Sequence, residues 1–417
     1  MTFDREAIWT IAALATAGVI IRPFRLPEWI WAVSGALLLV VAGLIPVSTA
    51  TDSLFRGADV YLFLTGMMLL SETARVHGLF DWLATLAVNH AAGSTTRLFT
   101  LVYLTGVAVT TFMSNDATAV VLTPAVFAAA KRAEADPLPM LFACALIANA
   151  ASFVLPLSNP ANLVLYDGHL PPLGTWLASF ALPSALAIAI TYFVLRVLER
   201  GHLRQGCARQ VAATRLDAGG KAAFAGIALT AVLLVTVSAF DRPLGLPTAV
   251  AGMATALGVS ALARRSPLAL ARRISWGVLP LVAGLFVLVG ALERTGLVRL
   301  IADALHGAAA SGGPAASLWP GAILAFVSNI MNNLPAGLIA SEAIGQSDVP
   351  RLMVDNLLIG VDLGPNLSIT GSLATILWLQ VIRREGEDVG FLQFLKVGAI
   401  AMPAALAGAL GARLLIG

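Results

Sequence analysis

Apolar residues run along this chain in long blocks separated by short polar clusters, and the order of blocks occurs twice. In the first half they fall near 7–21, 28–46 and 58–74, followed by a shorter segment around 79–92. A stretch near 97–130 is interrupted at Ser114-Asn115-Asp116, and one near 138–168 at Ser158-Asn159-Pro160-Ala161-Asn162. A last block covers about 172–196. The second half repeats this order, with interruptions at Ser328–Pro335 and Gly364–Ser372. A helix needs about 20 largely apolar residues to cross a bilayer. The pattern therefore predicts five crossings plus one re-entrant hairpin per half. The first crossing, with about 15 apolar residues, is the weakest element.

Short signatures show that the halves are copies. Arg22-Pro23-Phe24-Arg25-Leu26-Pro27 returns as Arg242-Pro243-Leu244-Gly245-Leu246-Pro247, 220 residues on. Gly66, Gly78 and Leu79 return as Gly284, Gly296 and Leu297 at an offset of 218, and Met113-Ser114-Asn115 meets Met331-Asn332-Asn333 at the same offset. The expected organisation is an N-terminal repeat over 1–200, a basic cytoplasmic linker over 201–221 and a C-terminal repeat over 222–417. An odd number of crossings per half makes the copies inverted. With the N-terminus outside, 19 of the 26 basic residues lie in cytoplasmic loops, as the positive-inside rule demands. Counting both hairpins as full crossings gives a twelve-span alternative with reversed later loops.

Composition narrows the class. Hydrophobic residues make up 58% of the 417 and charged residues only 12%, about half the share in soluble domains. The expected fold is thus an all-α polytopic membrane protein in the inner membrane. The net charge of +3 sits in loop clusters, which suits membrane topology and not nucleic-acid binding. Cys144 and Cys207 form no disulfide framework or zinc spacing, and the five histidines lie at or beyond the ends of apolar blocks, so no metal site is expected. Asp4, Arg5 and Glu6 replace the basic start of a secretory signal, so no removable leader is read. The absence of a G-x-x-x-x-G-K-[ST] sequence excludes a phosphate-binding loop of that type, so energy has to come from an ion gradient or a partner. No cofactor and no catalytic residue is expected.

Helix breaks at membrane depth are tolerated where they are buried in protein or line a water-filled cavity. Transporters built from inverted repeats place their cargo and ion sites at such breaks. The candidate cargo-binding residues are Ser114, Asn115, Ser158, Asn159 and Asn162 in the first half and Asn332, Asn333, Asn366, Thr370 and Ser372 in the second. The bland alternative for any single Ser or Thr is a hydrogen bond that glues helices together. Asp116 and Asp362 are carboxylates in apolar stretches, where a charge is costly and usually functional, so they are the candidate proton carriers. Glu72 and Glu293, near span ends, are expected at the interface with solvent.

These motifs also carry a resemblance. Phe112-Met113-Ser114-Asn115-Asp116-Ala117 with Val121-Leu122-Thr123-Pro124 resembles the first hairpin of ArsB-type arsenite efflux proteins. Ala148-Asn149-Ala150-Ala151-Ser152 and Ser158–Asn162 look like their first broken helix, and Ser328–Pro335 like their second hairpin. Asp362-Leu363-Gly364-Pro365 with Gly371–Leu379 is similar to their second broken helix. The resemblance covers essentially the whole chain. It implies the ion transporter superfamily, with a fixed scaffold and a transport unit that moves like an elevator. It also implies export of arsenite and antimonite against inward protons, and in some relatives a soluble arsenite-stimulated ATPase subunit. Asn149 stands where some relatives have a carboxylate, which shifts weight to Asp116 and Asp362.

The chemistry agrees with that cargo. Neutral arsenite is a small trihydroxide that amides and hydroxyls grip by hydrogen bonds, and two distant cysteines cannot make the three-thiol site that trivalent arsenic favours. The nearest competitor is a cation-coupled transporter of small oxyanions or dicarboxylates. A remoter one is an intramembrane aspartyl protease, for which Tyr166-Asp167 and Gly360-Val361-Asp362 would supply the acids, although the second lacks the expected glycine.

Overall fold

The computed structural model describes residues 2–167, 169–212 and 215–417. Residue 168, at the end of the expected 138–168 stretch, and residues 213 and 214, in the expected linker, lie outside the described residues. Among the described residues the chain is helical, with no strand beyond one isolated bridge between Ser94 and Gly206.

The first repeat contains α1 (Thr2–Ile21), α2 (Glu28–Val41), α3 (Val47–Arg56), α4 (Ala58–Val76) and α5 (Leu79–Ala91). It continues with α6 (Thr95–Phe112), α7 (Thr123–Arg132), α8 (Leu138–Ala150), α9 (Pro160–Leu165) and α10 (Leu173–Leu198). The short α11 (Arg200–Leu203) opens the linker. The second repeat contains α12 (Ala218–Ala239), α13 (Gly245–Leu262), α14 (Pro267–Ala271), α15 (Val278–Arg294) and α16 (Leu297–Ala310). It ends with α17 (Pro314–Met331), α18 (Asn333–Gly345), α19 (Arg351–Leu363), α20 (Leu373–Arg384) and α21 (Phe391–Ile416). The duplication is visible in the lengths. Helices α10 and α21 both have 26 residues, and α8 and α19 both have 13.

Among the described residues four helices, α10, α12, α13 and α21, are long and apolar enough to cross a bilayer unaided. The remaining crossings are shorter, more polar or broken. Helix α1 has 20 residues, longer than its apolar block, because its first turn is polar. The chain after α2 leaves the expected 28–46 block early and forms α3, whose polar and apolar sides separate strongly enough for a helix lying at the surface.

The hairpin geometry follows from where the ends of α6 and α7 are tied. Thr95 Oγ1 donates to Gln205 O and Thr96 Oγ1 to Leu203 O (3.1 Å) at the start of α6. Beyond the end of α7, Ala208 N donates to Ala133 O at 2.7 Å. Both ends therefore meet the same basic linker, and the chain between them enters and returns on one side. Helix α5 is tied to that linker at both ends too. The His77 ring sits over Gly219, and Val211 N donates to Asn89 Oδ1 at 2.9 Å. The segment at 79–92 thus lies along the linker and does not cross. Its counterpart α16 turns 75° from α15 after Gly296, at φ 83°.

Helices α1–α4 and α12–α15 pack as one layer, with α4 crossing α13 and α2 crossing α15. The crossings need bare backbone. A Cβ on Gly66 would stand 2.1 Å from Thr248 O, and one on its copy Gly284 would stand 2.7 Å from Ala32 C. Helices α10 and α21 pack on each other, and α17 packs on α19. The buried polar residues concentrate at the two hairpins and the two broken helices, to which α17 and α19 themselves belong.

Candidate functional site

The first hairpin turns at Met113, after which three side chains start the return arm. Ser114 Oγ accepts from Ala117 N at 3.2 Å, and Asn115 Oδ1 from Asp116 N at 2.9 Å. Residues Ala117–Leu122 then wind as a π-helix ahead of Pro124, a local loosening that often marks functional segments. Thr110 and Thr118 clamp the arms together through their hydroxyls, 2.8 Å apart. The second hairpin turns on one residue, Asn332, at φ 75°, whose Oδ1 accepts from Leu334 N at 3.3 Å. The interruption expected over Ser328–Pro335 is thus confined to its middle, since Ser328 lies within α17 and Pro335 within α18. Asn333 opens α18 and is buried.

Each gap is closed from within and by the first arm of the neighbouring hairpin. In the first, Ser158 Oγ donates to Thr111 O at 2.9 Å, and Asn162 Nδ2 donates to Ser152 O at 3.0 Å. In the second, Ser372 and Thr375 form a reciprocal cap at the start of α20. Thr370 Oγ1 donates to Asn329 O at 3.0 Å, and Ser368 Oγ to Asn329 Oδ1 at 2.8 Å. Asn329 also donates to Gly364 O at 2.9 Å, so one amide holds the whole second gap. Sequence reasoning quoted Asn329 within a motif but gave it no role. The available signal was its position, 218 residues after Thr111, which serves the first gap.

The gaps are joined across the repeats. Asn159 Nδ2 donates to Asp362 Oδ1 at 2.7 Å, and Asn149 Nδ2 donates to Asn366 Oδ1 at 3.0 Å. Asn366 donates in turn to Leu146 O at 2.9 Å. All four side chains are at most 2% exposed. Asn149 Oδ1 and Asn162 Oδ1 remain buried acceptors with no hydrogen-bond partner among the described residues. Asp362 is therefore bonded to an amide and not to a second carboxylate. Asp167 sits in the turn beyond α9 at φ 48°, so the acid pair of an aspartyl protease does not form.

Asp116 stands apart from this network. With Ser114 and Pro160 it lines the deep end of a cavity of about 390 Å³ between α4, the first hairpin and α20. Arg75, Arg273, Arg384, Glu72 and Glu385 line it toward the helix ends. Of the candidate cargo residues, Ser114 is the one that lines this cavity. Glu72 departs from the expected interfacial position. It is 8% exposed and bonded to Arg75, at 2.5 and 2.7 Å, because the i, i+3 spacing on α4 brings the two together. The repeats also exchange their carboxylates. Asp116 corresponds to Leu334 in the second hairpin, and Asn149 occupies the twelfth position of α8, where α19 has Asp362.

The family model described as citrate transporter matches residues 12–358. The chain belongs to that family. Among the family's named relatives, it is 30% identical over 350 residues to the arsenical pump membrane protein of Yersinia enterocolitica, with 80% of each chain covered. It is 27% identical over 381 residues to the arsenical pump membrane protein of Escherichia coli K12, with 88% of each covered. The fold is that of the YdaH transporter of Alcanivorax borkumensis, with a TM-score of 0.58, 17% identity and coverage of 89% of this chain and 87% of that one. This member of the citrate transporter family is accordingly a multi-pass transporter of the inner membrane, as its ArsB-type motifs implied.

Proposed function

We propose that this transporter exports trivalent arsenite and antimonite, exchanging them for protons by an elevator-type movement of hairpins and broken helices past the α1–α4/α12–α15 layer. The observation that carries the reading is the lining of the cytoplasmic cavity. At its deep end stand a hydroxyl and one carboxylate, Ser114 and Asp116, while its arginines stand at the helix ends. A neutral trihydroxide needs hydrogen-bonding partners but no counter-charge. A multiply charged carboxylate would need cations beside the hairpin. The names of the arsenical pump relatives support the same cargo.

In this mechanism cargo enters from the cytoplasm and meets the hairpin tips, where Asn115 and Asn333 supply amides. Asp116 exchanges a proton with the cavity, and Asp362 serves the second half. The transport unit then carries cargo outward and returns with a proton. No cofactor takes part. A soluble ATPase would act as an accessory that drives the same path.

Purified protein in sealed vesicles, given an imposed pH gradient, should move arsenite against that gradient, and proton uncouplers should stop it. Absence of gradient-driven flux would remove the exchange mechanism. A second reading, cation-coupled transport of carboxylates, is favoured by the family's description and by the arginines in the cavity. Sodium-dependent citrate uptake by the same vesicles would establish it.

A further inference from the structure

The repeats treat the two faces of the moving interface differently. On the outer face, Arg56 Nη1 of α3 lies 2.5 Å from Glu342 Oε1 on the second hairpin and 3.6 Å from Glu293 Oε2 at the end of α15. Gln346, just beyond that hairpin, donates to Glu293 Oε1 at 3.0 Å. One guanidinium and one amide thus bridge the fixed layer and the second hairpin. The duplication supplies the comparison. At the offset of 218, Arg56, Glu342 and Glu293 correspond to Ile274, Pro124 and Arg75. Those three counterparts all line the open cytoplasmic cavity.

We infer that Arg56–Glu342, braced by Glu293 and Gln346, is an outer ionic latch that holds the transporter open to the cytoplasm. The inference rests on the elevator reading above. When the transport unit moves outward, inverted symmetry brings Ile274 toward Pro124 and parts Arg56 from Glu342. At the latch position itself the inner contact is then apolar, Ile274 against Pro124, where the outer one is ionic. The latch borders an outer cavity of about 860 Å³ lined by Arg56, Glu293 and Gln346, so salt reaches and screens it. Salt has no comparable ion pair to screen at Ile274 and Pro124. High salt therefore weakens the latch, and a transporter whose latch has been removed responds less to salt than wild type.

Spin labels on exposed positions, one replacing Val250 of α13 and one replacing Leu392 of α21, report the distance between the two bodies in lipid vesicles. Arg56→Gln and Glu342→Gln should each raise the outward-to-inward ratio about two- to fivefold at low salt, the range for a part-exposed pair. Their combination should add little, because both remove one contact. Arg56→Lys should stay near wild type, and high salt should bring wild type toward the variants. Two distance populations whose ratio ignores Arg56→Gln, Glu342→Gln and salt would overturn the latch while sparing the elevator. One unchanging distance in every variant and at every salt concentration would instead overturn the elevator reading, and the latch with it.

Discussion

Asn159 of the first repeat and Asp362 of the second share a hydrogen bond of 2.7 Å, although 203 residues separate them in the chain. The amide is the N-cap of α9, whose Oδ1 accepts from Ala161 N at 3.0 Å while its Nδ2 reaches the carboxylate. One side chain therefore starts a half-helix and ties it to its inverted copy. With Asn149–Asn366 as a second tie, the two broken helices are held as one body. A unit that slides past a scaffold needs that rigidity, because its half-helix ends must keep their aim.

Replacing Asn159 by Ala removes a buried donor and leaves Asp362 less satisfied. Such a loss costs about 1–3 kcal/mol. The variant should melt earlier in detergent than wild type, and Asn159→Asp should melt earlier still, because two carboxylates would meet in a buried site. An Ala variant with the wild-type midpoint would show that the tie carries no stability.

Asp116→Asn keeps the shape of the first hairpin and removes its one carboxylate. Arsenite flux in vesicles should lose its response to an imposed pH gradient, while the protein remains monodisperse. Flux that follows the gradient normally at several pH values would reject Asp116 as the proton carrier. Asp362→Asn, tested in parallel, separates the two carboxylates.

Gly66 has no room for a side chain, since its Cβ would overlap the Thr248 carbonyl of the crossing helix. Gly66→Val should sharply reduce the yield of folded protein, because overpacking a tight contact costs about 1–3 kcal/mol or more. Gly307 faces open space on α16, so Gly307→Ala should be tolerated and gain up to about 1 kcal/mol of helix propensity. Equal yields of the Gly66 and Gly307 variants would contradict the packing argument.

Cys144 is buried, whereas Cys207 lies in the linker, where its N donates to Gly93 O at 3.2 Å, so the two described thiols are not placed around one metalloid. The double variant Cys144→Ser, Cys207→Ser should retain arsenite transport. Complete loss of transport by a folded double variant would restore a thiol site.

Much of the architecture was legible in the sequence. Hydrophobic blocks, the constant offset and the polar breaks are one-dimensional signals, and a bilayer permits few ways to fold them. Asp116 and Asp362 stood out for the same reason, as carboxylates in stretches that exclude charge. The orientation of 79–92 was not legible, because a short apolar segment suits a crossing or a surface helix equally well. The linker contacts of His77 and Asn89 settled it. Nor could Glu72 be separated from a solvated span end until its pairing with Arg75 and the cavity beside it were seen.

The candidate residues divide in a way that no linear pattern contains. Ser114 and Asp116 face the cavity, whereas Asn159, Asp362 and Asn366 lie in a sealed network with Asn149. The sequence by itself determined that the chain crosses the membrane repeatedly, is duplicated with inversion and breaks its helices at matched places. Those properties follow from transfer free energy and periodicity, which are summed along the chain. Only the tertiary structure decided which broken ends meet, which carboxylate reaches a cavity and which face carries the Arg56–Glu342 ion pair. Those depend on side chains roughly 200 residues or more apart being brought within 3 Å, and chain order carries no record of such distances.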